Sequence, residues 1–294
     1  MVDDTRRAAL KAGVGGVLYV AALAAAFAVP GAVRAQAPAV PPSPAAAVGL
    51  PLEATAAEEF LRTARVVDRA RIGGGLTRPE RLTLTDGTRT HCAIWKTIDE
   101  HRMGLRQLEG GVEFDFRDSW RHEVAVYELD KLLGLGLVPP TVERRIDGRD
   151  GSLQIWVEGA MTENARRKKG LVAPGIEAWN AQMHRVRLLH QLAYDTDFRN
   201  PDNVLVDPAF RVYAIDFSRA FRIQTGLLEP GDLVRFSRAT LERLAALDRP
   251  TLDTRFGRWL DKTQITGLLA RRDKILALVK QRVAEKGEEA VLDP

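Results

Sequence analysis

Two hydrophobic periods divide this chain, and their order limits what it can fold into. In the first half short runs alternate at period two. Arg81-Leu82-Thr83-Leu84-Thr85 is one, a run from Thr90 to about Ile98 that carries Lys96 is the next, and Thr141–Ile146 and Ser152–Val157 follow. Asp86-Gly87 between the first two predicts a hairpin turn of type I′, because that turn needs positive φ. Asp147-Gly148-Arg149-Asp150-Gly151 connects the last two. Helical spacing over Glu58–Ala70 and over Trp120–Leu133 predicts one helix before these strands and one among them, the latter stopped by Gly134 and Gly136. Beyond Glu158 the period becomes helical, with Trp179, Met183, Val186, Leu189 and Leu192 stepping by three and four. One short hairpin interrupts it, Val204-Leu205-Val206 against Arg211–Phe217 through Asp207-Pro208, and the remainder from about Asp232 to Glu289 is helical again. The reading is an α+β chain of two lobes: a small antiparallel sheet with one helix, then a mostly helical lobe.

The N-terminus has a different character. Arg6, Arg7 and Lys11 precede an apolar run from about Ala12 to Val33, and Val33-Arg34-Ala35 places small residues where a signal peptidase reads. Residues 1–35 therefore read as a signal peptide, and Thr5-Arg6-Arg7-Ala8-Ala9-Leu10-Lys11 resembles the twin-arginine type. The run is also long enough to be an uncleaved anchor. On the signal reading the protein is exported, periplasmic or secreted, with no span in the mature chain; it is cytoplasmic if the signal is not used. Residues 36–54, rich in Ala and Pro and nearly uncharged, read as a linker. The folded part then divides into residues 55–158 and 159–294.

Composition removes several function classes. With 45% hydrophobic and 28% charged residues, the chain is neither disordered nor a many-span membrane protein. Arg6, Arg7, Lys11 and Arg34 against Asp3 and Asp4 supply half of the net charge of +4, so the rest is nearly neutral and shows no nucleic-acid footprint. Cys92 is the only cysteine, which excludes an intramolecular disulfide, and the five histidines show no metal-ligand spacing. Arg166-Arg167-Lys168-Lys169 reads as a solvated loop, or as an attractor for an acidic substrate or head group.

The stretch that carries chemistry is Asp195-Thr196-Asp197-Phe198-Arg199-Asn200-Pro201-Asp202-Asn203-Val204-Leu205-Val206-Asp207, followed by Tyr213-Ala214-Ile215-Asp216-Phe217-Ser218. It places carboxylates and carboxamides on a loop and at a strand end. Phosphoryl transfer needs such a set: one carboxylate for the attacking hydroxyl, and an Asn with a second Asp for Mg²⁺. The same residues could also be turn formers.

This stretch resembles the catalytic loop and metal-binding Asp of the protein-kinase-like superfamily, and is most similar to its atypical branches, the phosphoinositide, HipA-type and secretory-pathway kinases. The resemblance implies that Asp197 is the catalytic Asp, Asn203 a metal ligand, and Asp216 the metal-binding Asp of the Asp-Phe-Gly signature. Kinase loops place the Asn five residues after the Asp. Asp197 to Asn203 is six and Asp195 to Asn200 is five, so both registers stay open. Ser218 stands where the signature has Gly.

The resemblance extends over about residues 72–220 and implies further roles. Lys96 would contact ATP phosphates, Glu123 would pair with Lys96, and Gly73, Gly74 and Gly75 would let the backbone approach phosphate. Leu153–Gly159, with Glu158, falls where the hinge between lobes carries adenine. The implied activity is transfer of the γ-phosphate of ATP to a hydroxyl acceptor, protein, lipid or small molecule, with Mg²⁺. An exported pseudokinase that binds nucleotide or serves as a scaffold is the alternative.

Overall fold

Most extended and helical segments fall in the predicted order, but the first strand and one hairpin are not announced by the sequence pattern. A computed structural model describes residues 50, 52–72, 79–108 and 111–293. The signal segment at 1–35, most of the linker and Gly73–Gly75 lie outside the described residues.

Helix α1 (Ala54–Thr63) buries Ala57, Phe60 and Leu61. The helix expected over Glu58–Ala70 ends there: Ala64 is extended, and Arg65–Arg71 forms strand β1 on the sheet edge. Strands β2 (Glu80–Thr85) and β3 (Thr90–Lys96) bury Leu82, Leu84, Ala93 and Trp95 by simple alternation. Lys96 ends β3 and follows Trp95, so alternation sends it to the other face of the sheet. The Asp86-Gly87 turn is not type I′. Four residues, 86–89, separate the strands, only Gly87 has positive φ (95°), and the Asp86 carboxylate accepts from the Thr88 and Arg89 N–H groups.

Strands β4 (Asp99–Leu108) and β5 (Gly111–Ser119) then form a separate hairpin. Helix α2 (Trp120–Leu133) follows directly, capped by Ser119 and closed by left-handed Gly134 at φ 64°. Strands β6 (Thr141–Ile146) and β7 (Arg149–Ile155) meet through Asp147-Gly148, with φ values of 48° and 77°; positive φ at both central residues occurs at this Asp-Gly instead. The sheet order is β1-β2-β3-β7-β6, antiparallel throughout.

After the connector come β8 (Met161–Thr162), α3 (Glu163–Lys168), α4 (Ile176–Ala193), and the hairpin of β9 (Val204–Val206) and β10 (Val212–Ala214). The chain closes with β11 (Phe236–Ser237), α5 (Arg238–Ala246), α6 (Arg249–Phe256), α7 (Lys262–Lys286), α8 (Glu288–Val291) and β12 (Leu292–Asp293). The basic run expected in a loop lies in and just after α3, where Arg166 and Arg167 both bind the buried Glu163 carboxylate. No helix among the described residues is long and apolar enough to cross a membrane.

Two cores result. One joins α1 to the sheet through Phe60, Leu61, Leu82, Leu84, Trp95 and Leu153. The other fills the helical half and includes Ala125, Val126, Leu129 and Leu133 of α2. Helix α2 is thus packed from Ala125 onward as part of the second core although it borders the sheet.

Candidate active site

Lys96 is brought into the space between the halves, 9% exposed, and meets two carboxylates there. Its Nζ donates to Glu123 Oε1 at 2.5 Å and to Asp216 Oδ1 at 2.7 Å. Glu123 stands in the first turn of α2, 3% exposed at its side chain, and also accepts from the Phe217 backbone N–H. Burial pushes its carboxyl up, against the pull of Lys96. The Lys96 charge holds Asp216 below the usual carboxylate range. Burial works against the charge on Lys96, but the two carboxylates outweigh it and raise its pKa. Asp216 is in the left-handed region at φ 63°, uncommon for a non-glycine residue, and its side chain stays 43% exposed.

The acidic loop leaves α4 through Tyr194, a left-handed cap at φ 49°. Asp195 is fully buried and both its oxygens are engaged: His190 Nδ1 lies 2.8 Å from Oδ2, and the Asp197 N–H donates to Oδ1 at 3.0 Å. Asp197 is half-buried. Its Oδ2 accepts from Asn200 Nδ2 at 3.1 Å and from Asn203 Nδ2 at 2.9 Å. The loop then makes a short 3-10 turn, Pro201–Asn203, capped by the Asn200 side chain. The Asn203 carbonyl accepts from the Ile215 N–H at 2.9 Å, which fixes the acidic loop beside the segment bearing Asp216.

Comparison with solved structures follows from this arrangement. Hydra Fam20 with sugar superposes with a TM-score of 0.60 at 14% identity, over 82% of this chain and 92% of that one. Golgi casein kinase gives 0.56 at 14% identity, over 81% and 77%. A structure of Golgi casein kinase with Mn/ADP bound gives 0.55 at 16% identity, over 81% and 78%. The fold is protein-kinase-like. No protein-family profile matches the chain, and no curated protein matches it in sequence.

Within this kinase-like fold the structure brings together Lys96, Glu123 and Asp216, and separately Asp197 and Asn203. Glu158 stands half-buried in the connector after β7. Trp156, nearby in that connector, donates from its backbone to Cys92 of β3 at 2.9 Å. The predicted Gly73, Gly74 and Gly75 lie outside the described residues.

Sequence reasoning missed three features. Asp118, 6% exposed, sits beside this cluster; burial first, then repulsion by Asp216, raises its carboxyl, while a hydrogen bond from Ser218 lowers it. Arg219 and Arg222, just past Asp216, both bind Glu113 on the unpredicted hairpin. His190 pairs with Asp195 and stacks on Phe217 at 5.0 Å. Only the last carried a signal: an α4 histidine five residues before a loop aspartate.

Proposed function

We propose that this protein is an ATP- and Mg²⁺-dependent phosphotransferase acting on a hydroxyl acceptor. The observation that supports it is the single ammonium of Lys96 shared between a buried helix glutamate and a half-exposed loop aspartate. A buried lysine satisfied by one carboxylate is a structural ion pair. A second carboxylate, exposed and held in a strained backbone, gives the site an unspent face toward solvent.

The donor set suits Mg²⁺, which takes one or two protein oxygens and completes its shell with substrate phosphates and water. Asn203 and Asp216 would hold the ion, which when bound offsets phosphate charge. Lys96, oriented by Glu123, would bind the nucleotide phosphates, with Gly73–Gly75 above them and Glu158 near the adenine. Asp197 would accept the acceptor's hydroxyl proton. A bond forms between that oxygen and the γ-phosphorus, and the bond from phosphorus to the β–γ bridging oxygen breaks, leaving ADP. Asp195 is sealed beneath the loop with both oxygens bonded, so Asp197 is the candidate base.

Export, if residues 1–35 direct it, would favour a second reading, since little ATP is found outside the cytoplasm: a nucleotide-binding module without turnover. The test is thermal. Mg²⁺-ATP should raise the melting temperature of the wild type, and Asp216→Ala should abolish the shift. No wild-type shift at saturating nucleotide rejects the proposal. Binding without phosphate transfer to any hydroxyl acceptor selects the second reading.

A further inference from the structure

Arg271 of α7 is fully buried, yet its bonds run to main-chain carbonyls and not to a carboxylate. Its Nε donates to the Leu192 carbonyl at 2.8 Å, and its Nη1 donates to the Arg222 carbonyl at 3.0 Å and to that of Gln224. The guanidinium also lies over the Tyr194 ring, 5.4 Å from its centroid. Leu192 is in the last turn of α4, and Tyr194 is the cap from which the acidic loop leaves. Arg222 and Gln224 follow Asp216 by six and eight residues.

The end of α4 depends on this contact. The last four carbonyls of a helix have no partner within it. Here the Asp195 N–H donates to the His190 carbonyl at 3.1 Å, that of Tyr194 to Gln191 at 3.3 Å and that of Phe221 to Ala193 at 2.6 Å, which leaves Leu192 to Arg271. A cation there also suits the negative end of the helix dipole. Gly267, one turn earlier in α7, makes the room. A Cβ on it would stand 2.9 Å from Arg271 Nη1 and 3.1 Å from the Arg222 and Ile223 carbonyl oxygens. Neither residue serves stability best: glycine is a poor helix former, and an apolar side chain would fill the arginine's space without burying a charge. What the guanidinium adds is a planar fork that holds two segments at a fixed spacing.

We propose that Arg271 is a positioning residue: its guanidinium clamps the end of α4 to the segment that follows Asp216, and so sets Asp197 against Asp216. The inference rests on the phosphotransferase reading for its consequence in catalysis, while the clamp itself does not. The acidic loop is stiff just beyond Leu192, because the buried Asp195 carboxylate bonds both His190 and the Asp197 N–H. A shift at Leu192 is therefore carried to Asp197. Asp216 has a second hold in Lys96, so loss of the clamp falls on Asp197 first.

Two measurements test the clamp on the full chain. The first is hydrogen exchange. Arg271→Met, which keeps length and removes the donors, should speed the amides of Asp195, Asn200 and Phe221 at least about tenfold, the weight of one hydrogen bond to a charged group. Amides of α5, which packs into the same core, should keep their wild-type rates. Equal acceleration throughout the helical half, or none at the three amides, overturns the clamp. Should Arg271→Met fail to fold, Gly267→Ala, which keeps the arginine and crowds its Nη1, carries the same expectation. The second measurement is release of inorganic phosphate from Mg²⁺-ATP with water as acceptor. Arg271→Met should lower kcat per folded molecule at least about tenfold and leave KM for ATP within about twofold, the signature of a displaced base. Arg271→Lys, which keeps a donor for the Leu192 carbonyl, should recover most of that rate. A wild type that binds no Mg²⁺-ATP rejects the phosphotransferase reading, and one that binds without releasing phosphate selects the reading without turnover; in both cases exchange still decides the clamp. A wild type that turns over, with Arg271→Met equal to it in kcat, rejects the positioning role alone.

Discussion

Lys96 Nζ lies 2.7 Å from Asp216 Oδ1 across 120 residues of chain, and the same nitrogen lies 2.5 Å from Glu123. The two carboxylates do not share the ammonium equally. Glu123 is buried and depends on Lys96 to remain charged, whereas Asp216 is partly in water. Lys96→Ala should therefore act first through Glu123. Removing one partner of a buried pair costs about 3–5 kcal/mol. The double variant Lys96→Met with Glu123→Gln should recover most of that loss in urea unfolding, since it leaves no buried charge. If Lys96→Ala unfolds at the wild-type midpoint, the pair is not desolvated as described.

The two loop aspartates should separate cleanly. Asp197→Ala should retain nucleotide binding and lower turnover by at least about 100-fold, the lower range for loss of a general base. Asp195→Ala should cost about 1–3 kcal/mol of stability, because it leaves the buried His190 Nδ1 and Asp197 N–H without acceptors. Single-turnover kinetics with denaturant unfolding on both variants checks the assignment. A stable but inactive Asp195→Ala beside an active Asp197→Ala would restore the five-residue register.

Gly151 couples the sheet to the site. A Cβ built there would stand 2.4 Å from the Lys96 carbonyl oxygen and 2.7 Å from the Trp95 ring. Ser152 beside it pairs with Lys96 across β7 and β3. Gly151→Ala must displace the end of β3, at a cost of about 1–3 kcal/mol for overpacking. The expected signature is a raised KM for nucleotide together with a lower melting temperature. An unchanged KM would show that β3 yields without moving the lysine.

How much of this was readable follows from which residues face what. Helix α2 was legible to the residue, because Trp120, Val124 and Tyr127 recur on one face and Gly134 stops the pattern. Lys96 was legible because it ends β3, where alternation is simple, whereas Asp216 lies two residues beyond β10 and stood out only by the residues around it. The β4–β5 hairpin was not. Met103, Leu105, Val112 and Phe114 are exposed, so no buried face imposes an alternating pattern. Strand β1 was misread as helix for a related reason: it lies on the sheet edge with Val67 46% exposed, and its period is not set by a core. The same Asp-Gly pair makes a tight turn at 147–148 and a looser one at 86–87. The strand register decides between them, and register depends on partners distant in sequence. The contacts of the Ser218 carbonyl with the Ser119 N–H and His122 Nδ1 were hidden likewise, since they join segments about a hundred residues apart.

Acid stability should show two buried groups working in opposite directions. Burial lowers the His122 pKa from 6.5 to about 4, so the folded state excludes a proton that the unfolded chain accepts. Its contribution is complete above pH 6.5 and is lost as pH falls toward about 4. Asp130 is the reverse. Burial raises its pKa from 3.8 to about 6, although backbone N–H groups from Leu137, Val138 and Gly136 pull it down, so the folded state keeps a proton that the unfolded chain releases. Stability from this group grows as pH falls from about 6 toward 3.8. At 1.36 kcal/mol per unit each effect is about 3 kcal/mol, and in the wild type they nearly cancel. Asp130→Asn should therefore lose stability steeply on acidification, by about 3 kcal/mol between pH 6.5 and 4. His122→Ala should gain relative stability over the same range, whatever constant penalty its truncation adds. Urea unfolding at half-unit pH steps on the three proteins reads the slopes directly. A parallel set of curves would mean that neither group changes protonation on unfolding, and that the neutral His122 required by the Gln264 amide that donates to its Nε2 is not maintained.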